Sequence, residues 1–67
     1  MIMVKKIREQ KNLTQHELAK RSGVKQSAIS MIESGERKNP GILTLEAIAF
    51  GLGCTLNDIY KPDTPAA

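Results

Sequence analysis

Residues 13–35 read LTQHELAKRSGVKQSAISMIESG and contain the clearest structural signals in the chain. Near the start of this stretch, Thr14 is a good helix N-cap and Glu17 follows three residues later, which is the spacing of a capping box. Gly23 follows the first periodic segment and Gly35 follows the second. Glycine readily takes the left-handed conformation that ends a helix. The stretch therefore predicts two short helices joined by a tight turn.

Similar start and stop signals continue on both sides of this stretch. Asn12 and Gly53 are suited to ending helices, and Thr55 with Asp58 repeats the capping-box spacing. We predict five helices, near residues 2–11, 15–21, 26–34, 42–52 and 56–60, and no strand, because no window alternates for long enough. The folded domain is predicted to span residues 1–60. Residues 61–67 contain two prolines and no periodicity, so we predict a flexible tail there.

Composition narrows the class of protein. The 67 residues allow one small domain. Apolar residues make up 40% of the chain but aromatic residues only 3%, which favours an all-α fold with an aliphatic core. The net charge of +3 mildly favours binding to polyanions, but many unrelated proteins share such a charge. We expect a cytoplasmic protein, because no apolar run is long enough for a membrane span or a signal peptide.

The sequence offers no material for a metal centre or a catalytic site. Its one cysteine, Cys54, and one histidine, His16, cannot assemble a zinc cluster. No base stands beside a nucleophile at a spacing typical of catalysis. We expect His16 to be exposed and passive, and Cys54 to be a small packed side chain. We therefore predict no enzyme activity, no metal and no cofactor.

The third predicted helix has an unusual outward face. At about 100° per residue, Ala28, Ile29 and Ile32 fall on an arc that can pack inward. The opposite arc is polar but uncharged, and it consists of Gln26, Ser27, Ser30 and Ser34, with Met31 at its edge. Serine lowers helix propensity, whereas a solvated face would use Lys or Glu. Amide and hydroxyl groups suit base edges in a DNA major groove, although a merely tolerated polar surface is the alternative.

Basic and amide side chains surround this face in the sequence. Lys25 stands at the start of the third helix, where the helix dipole disfavours a cation unless a phosphate or a guanine is its partner. The residues that could grip the DNA backbone on either side of a groove are Lys11, Asn12, Gln15, Arg37, Lys38 and Asn39. Each basic residue alone is most simply solvated surface. Their arrangement around one helix favours binding to double-stranded DNA.

Residues 15–35 closely resemble the phage-repressor and Cro-type helix-turn-helix family, often called the XRE family. The resemblance extends over residues 4–60, from Ile7 and Arg8 to the closing Ile59 and Tyr60. It implies a compact five-helix, lambda-repressor-like domain with the helix-turn-helix at helices two and three. It also implies a transcriptional regulator, most simply a repressor, that binds duplex DNA as a homodimer on operators with two-fold symmetry.

The resemblance also implies roles for particular positions. It places Lys25, Gln26, Ser27 and Ser30 at bases or adjacent phosphates, and we add Met31 to the base contacts. It places Gln15 on a phosphate or a base edge, and residues 37–39 on the DNA backbone. Arg8 and Glu33 match an ion pair that in relatives ties helix one to the end of helix three. Lys25 and Gly41 depart from the family, because relatives usually carry a capping residue at those two positions.

The fourth predicted helix carries two apolar stripes. The inward stripe consists of Ile42, Leu45, Ile48, Ala49 and Leu52. Leu43, Ala47 and Phe50 are spaced by four and three residues and form a second stripe on the far side. Either helix five and the tail cover this second stripe, or it is a homodimer contact. It also leaves an alternative function open, that of a protein-interaction module such as an antitoxin-like subunit with a protein partner.

Overall fold

The structure, a computed structural model, describes residues 2–37 and 39–60 and shows five α-helices there. They are α1 (Val4–Gln10), α2 (Gln15–Ser22), α3 (Gln26–Ser34), α4 (Ile42–Leu52) and α5 (Leu56–Ile59). The predicted all-α class is confirmed, and the helix bounds agree with the predicted ones to within two residues. The predicted tail, residues 61–67, lies outside the described residues, as do Met1 and Lys38.

The helix-turn-helix begins and ends as its residue types predict. The Glu17 backbone N–H donates to the Thr14 hydroxyl at 3.0 Å, and the Thr14 N–H donates to the Glu17 carboxylate at 2.9 Å. The hydrogen bond from the Thr14 N–H favours the charged form of the carboxylate and is the main cause that lowers the pKa of Glu17. Gly23 and Gly35 end α2 and α3 with φ of 76° and 86°, in the left-handed region.

Nine buried aliphatic side chains from all five helices form one core. They are Val4, Leu18, Ile29, Ile32, Leu45, Ile48, Ala49, Leu52 and Ile59. α4 is central, since α1, α2 and α5 all pack against it, and α2 also packs against α3. Among the described residues, no helix is long and apolar enough to cross a membrane.

The crossing of α2 and α4 depends on a missing side chain. Gly51 is buried in α4, and a Cβ added there would lie 2.9 Å from the Ser22 Cβ and 3.1 Å from Leu18 Cδ1. Such distances are well inside van der Waals contact, so the two helices approach as closely as they do only because position 51 is glycine.

The first and last described segments are joined. The Met3 N–H donates to the Ile59 carbonyl at 2.6 Å, and Ile2 forms an isolated antiparallel bridge with Tyr60. This pairing sets the start of α1 beside the end of α5. One bridge is too short to be read from sequence alternation, and no strand was predicted.

One prediction about α4 is wrong, and one of the two alternatives for its second stripe is tested only in part. Ile42 was placed on the inward stripe, but it is 60% exposed, because it is the first residue of α4 and the buried side chains of that helix begin only at Leu45. Of the two segments that could cover the second stripe, helix five leaves Leu43 and Phe50 78% and 80% exposed, and the tail lies outside the described residues. α5 has only four residues and sends Ile59 into the core. It therefore leaves that stripe open.

Candidate nucleic-acid interface

The outward face of α3 is polar and open to solvent. Gln26, Ser27 and Ser30 are exposed, as is Ser34, while Met31 is 39% exposed at the edge of the face. On the other side of the helix, Ile29 and Ile32 are buried in the core. The facing predicted from helical periodicity is thus the observed one, and the exposed groups are hydrogen-bonding groups without formal charge.

The start of α3 lacks a side-chain cap. Lys25 is the N-cap residue, with extended backbone at φ −60° and ψ 141°, and no side-chain hydrogen bond caps the helix there. Lysine has only donors, so it cannot accept from the first amide groups of the helix. An exposed cation therefore stands at the N-cap position beside Gln26.

An ion pair with little access to water fixes α3 to α1. The Arg8 guanidinium donates to the Glu33 carboxylate through Nε at 2.8 Å and through Nη2 at 3.1 Å. The two side chains are 12% and 4% exposed. Arg8 Nη1 also donates to the Leu13 carbonyl at 2.7 Å, which ties in the turn before α2. The hydrogen bonds to Glu33 raise the pKa of Arg8 above its ordinary value, and bidentate pairs of this kind are strong and directional.

Gln15 extends this network to the start of α2. Its Nε2 donates to Glu33 Oε1 at 3.0 Å. Because a carboxylate only accepts hydrogen bonds, the Gln15 amide must turn its NH2 group toward Glu33. Its second N–H and its carbonyl oxygen make no hydrogen bond to any other described residue, so they are available to a partner outside the protein. The sequence predicted a DNA contact for Gln15 but not its second role, which is to link α2 to α3.

Two open clefts flank Gln15. The larger, of about 550 Å³, is the Gln26 cleft, lined by Arg8, Glu9, Asn12, Leu13, Thr14, Gln15, His16 and Gln26. The smaller, of about 250 Å³, is the Lys5 cleft, lined by Lys5, Arg8, Gln15, Ser30, Glu33 and Ser34. The structure therefore brings predicted contacts from the α1–α2 turn, α2 and α3 together. His16 and Lys5, which were not among the predicted contacts, also line these clefts. The only sequence signal for Lys5 is its position one helical turn before Arg8.

The other predicted backbone contacts are spread more widely. Lys11 is exposed in the turn after α1, next to Asn12, whose φ of 58° is the only positive value at a non-glycine position among the described residues. Arg37 is exposed, and its backbone N–H donates to the Met31 carbonyl at 3.1 Å. Asn39, which precedes α4, lines a third cavity together with Tyr60, which follows α5. Lys38 lies outside the described residues.

The family model described as Helix-turn-helix matches residues 4–59, which contain all five helices. The chain belongs to the XRE-type helix-turn-helix family. It is 39% identical over 62 residues to an uncharacterised HTH-type transcriptional regulator of Sinorhizobium fredii, a match that covers 90% of this chain and 79% of the relative. It is also 38% identical over 61 residues to the immunity repressor protein of Bacillus phage phi105. That match covers 91% of this chain and 42% of the repressor.

XRE-type membership places the chain among DNA-binding transcriptional regulators, a class that is generally not enzymatic. Repressors of this family bind double-stranded DNA. The prediction of the family from residues 15–35 is confirmed.

The remaining predicted site residues of this XRE-type chain form an apolar face on α4. At about 100° per residue, an arc of about 140° around the helix axis holds five side chains, in the order Ile42, Glu46, Phe50, Leu43 and Ala47. Ala47 is half-buried, and Glu46 is exposed within the same arc. We call these five residues the α4 face. It is mostly apolar and carries one carboxylate.

The lone histidine and cysteine are placed as their residue types predict. His16 is exposed in the first turn of α2, where it lines the Gln26 cleft. Cys54 is half-buried and packs against the core, and this burial raises the pKa of its thiol. Among residues 2–37 and 39–60, no group of three or more His, Cys, Asp or Glu side chains could hold a metal ion.

Proposed function

We propose that this XRE-type chain is a sequence-specific transcriptional regulator that inserts α3 into the major groove of double-stranded DNA, most simply as a repressor. The observation that carries the proposal is the exposed, uncharged outer face of α3, fixed from behind by buried isoleucines and by the Arg8–Glu33 pair. A rigid helix presenting short hydrogen-bonding side chains is what direct readout of bases requires. The names of both relatives, a transcriptional regulator and an immunity repressor, agree with this function.

The side chains of α3 divide into distinct proposed roles. The Gln26 amide can pair with the N6 and N7 positions of an adenine, and the Ser27 and Ser30 hydroxyls can serve several base edges. Met31 offers an apolar surface to a thymine methyl group. Lys25, at the start of the helix, reaches a guanine or an adjacent phosphate. The proposed backbone contacts are Lys11, Asn12, Gln15, Arg37, Lys38 and Asn39.

Selection from a pool of random duplexes at about 150 mM salt, followed by sequencing of the bound fraction, tests specific recognition. Enrichment of a site with two-fold symmetry is the expected result. If only weak, salt-sensitive binding without enrichment remains, the basic surface acts by electrostatics alone and the regulator proposal is wrong.

Variants measured on the selected duplex then separate the roles. Gln26→Ala is expected to cost about 1–3 kcal/mol on the selected duplex and little on a random one. Arg37→Ala is expected to weaken both and to reduce the salt slope by about one unit. Gln10→Ala is the matched control, since Gln10 is an exposed amide at the end of α1. Equal losses on both duplexes for Gln26→Ala and Arg37→Ala would contradict this division of roles.

The second part of the proposal is that two copies associate through the α4 face. In an antiparallel pair of α4 helices, Leu43 of one copy faces Phe50 of the other, because the two positions lie at equal distances from the midpoint between residues 46 and 47. The half-buried Ala47 lies near that midpoint, where a small side chain allows the helices to approach. Such a two-fold contact would set the two α3 helices about one turn of DNA, roughly 34 Å, apart.

The exposed area predicts that this dimer is weak in free solution. Leu43 and Phe50 are 78% and 80% exposed, so two copies would bury four such side chains, for a gross gain of about 5–10 kcal/mol. Association costs about 4–15 kcal/mol before any net affinity remains. The dimer is therefore expected to form mainly on DNA, where two adjacent half-sites hold the copies together.

Phe50→Glu tests the dimer. This variant is expected to keep its affinity for a duplex with one half-site and to lose cooperativity on a duplex with two. Asn57→Glu introduces the same charge at an exposed position of α5 and is expected to behave as the parent does. If Phe50→Glu and the parent show the same cooperativity on DNA and the same sedimentation, the α4 face is not a homodimer contact, and the alternative protein partner becomes the better explanation of it.

A further inference from the structure

We infer that the Lys5 cleft receives a phosphate of the DNA backbone, so that α1 belongs to the DNA-contact surface together with α2 and α3. This inference rests on the proposed function. The cleft is built from three helices, with Lys5 on α1, Gln15 on α2, and Ser30 and Ser34 on α3. Ser30, itself a proposed base contact, therefore also lines this cleft, at the flank of the helix that enters the groove.

Charge is the first reason to expect an anion there. Three charged side chains line the Lys5 cleft: Lys5, Arg8 and Glu33. Arg8 and Glu33 are joined by two hydrogen bonds and neutralise each other. The charge of Lys5 is therefore left over among the lining residues. Glu9, four residues further along α1, lines the Gln26 cleft instead.

The hydrogen-bonding groups and the size of the cleft also fit a phosphate. Gln15 uses one of its two N–H groups on Glu33 and has the other to donate. The exposed Ser30 adds a hydroxyl, and Lys5 adds an ammonium group. The cleft has about 250 Å³, while one liquid water occupies roughly 30 Å³, so a phosphate group and its hydration water fit within it.

The position of the cleft fits the geometry of a duplex. A helix in the major groove has a phosphate backbone on each side of it. The loop that carries Arg37 follows the C-terminal end of α3, whereas Lys5 and Gln15 reach its flank from α1 and α2. We therefore assign Lys5 to a phosphate as a positioning contact that carries no sequence information.

Lys5→Gln and Lys6→Gln form a matched pair for the test. Both lysines are exposed on α1, and only Lys5 lines the cleft. Affinities of the parent and both variants are measured over a range of salt, on the duplex enriched by selection and on a random duplex. Losing one phosphate contact should reduce the slope of log K against log salt by about 0.9. If the contribution of this phosphate contact to binding vanishes at about 1 M salt, Lys5→Gln loses about 15-fold in affinity at about 50 mM salt and about 5-fold at about 150 mM salt.

The outcomes separate this inference from the function on which it rests. The expected result is a reduced slope for Lys5→Gln on both duplexes, an unchanged slope for Lys6→Gln, and recovery of the slope by Lys5→Arg. If the parent selects a duplex but Lys5→Gln and Lys6→Gln have equal slopes, the cleft is not a phosphate site and the proposed function stands. If the parent binds no duplex, both proposals are wrong. Thermal unfolding of Lys5→Gln should match that of the parent, since the side chain is exposed.

Discussion

Replacing Arg8 with methionine tests the network that holds α3 in place. The variant loses both hydrogen bonds to Glu33 and the bond to the Leu13 carbonyl. Glu33, which is 4% exposed in the parent, then keeps the hydrogen bond from Gln15 among the described residues. Removing one partner of a buried pair costs about 3–5 kcal/mol, because the other charge is stranded away from water. A chain of 67 residues has a total stability of about 3–10 kcal/mol, so Arg8→Met should remove a third of it or more.

The double variant Arg8→Met with Glu33→Met shows whether the stability lost in Arg8→Met comes from the broken ion pair or from lost packing. It removes both charges and keeps similar volumes, so its free energy of unfolding should lie within about 1 kcal/mol of the parent value or exceed it. The assay is urea unfolding followed by far-ultraviolet circular dichroism at neutral pH. Lys6→Met, at an exposed position of α1, is the control and should change stability by less than about 0.5 kcal/mol.

Two outcomes would contradict the expected role of the Arg8–Glu33 pair. One is an Arg8→Met variant within about 1 kcal/mol of the parent, which would mean that the Glu33 carboxylate loses its partner at no great cost. The other is a double variant whose loss equals the sum of the two single losses, because additivity implies that the side chains do not interact. If Arg8→Met is unfolded without urea, Glu33→Gln gives the milder perturbation, with an expected loss of about 1.5–3 kcal/mol.

Two further predictions concern other contacts. Gly51→Ala is expected to destabilise the protein by about 1–3 kcal/mol, since the added Cβ would lie 2.9 Å from the Ser22 Cβ. Gly41→Ala is the control, because a Cβ added at that position meets nothing within 4 Å. If thermal unfolding shows Gly41→Ala to be the less stable variant, this prediction is wrong. The lowered pKa of Glu17 predicts a contribution to stability that is complete above the ordinary pKa and is lost as pH falls through the lowered one. The stability difference between the parent and Glu17→Gln should therefore shrink in acid, and a difference that persists there would count against the Thr14 capping interaction.

Most of the helix-turn-helix could be predicted from sequence, because its determinants are local. The capping pair Thr14 and Glu17 and the turn residue Gly23 act within a few residues of themselves. The inward facing of Ile29 and Ile32 follows from helical periodicity alone. The family, recognised from residues 15–35, is also carried by local sequence.

Sequence periodicity did not predict which apolar residues of α4 are buried, because their burial depends on the elements that pack against each face. Periodicity put Ile42 on the inward stripe of α4, but at the start of that helix its side chain is 60% exposed. It also could not decide whether α5 covers Leu43 and Phe50, which remain open. An apolar residue on a helix shows which face it lies on, and only the packing of neighbouring elements shows whether that face is buried.

The five helices, their ends, the outward polar face of α3 and the family could all be predicted from local sequence, since caps, turn residues and periodicity act through neighbouring residues. The tertiary structure alone decided that Gln15 joins the Arg8–Glu33 pair and that Lys5 shares a cleft with Ser30. These contacts connect residues on three different helices. Their distances depend on how the helices cross, which the buried side chains and the close approach at Gly51 set together.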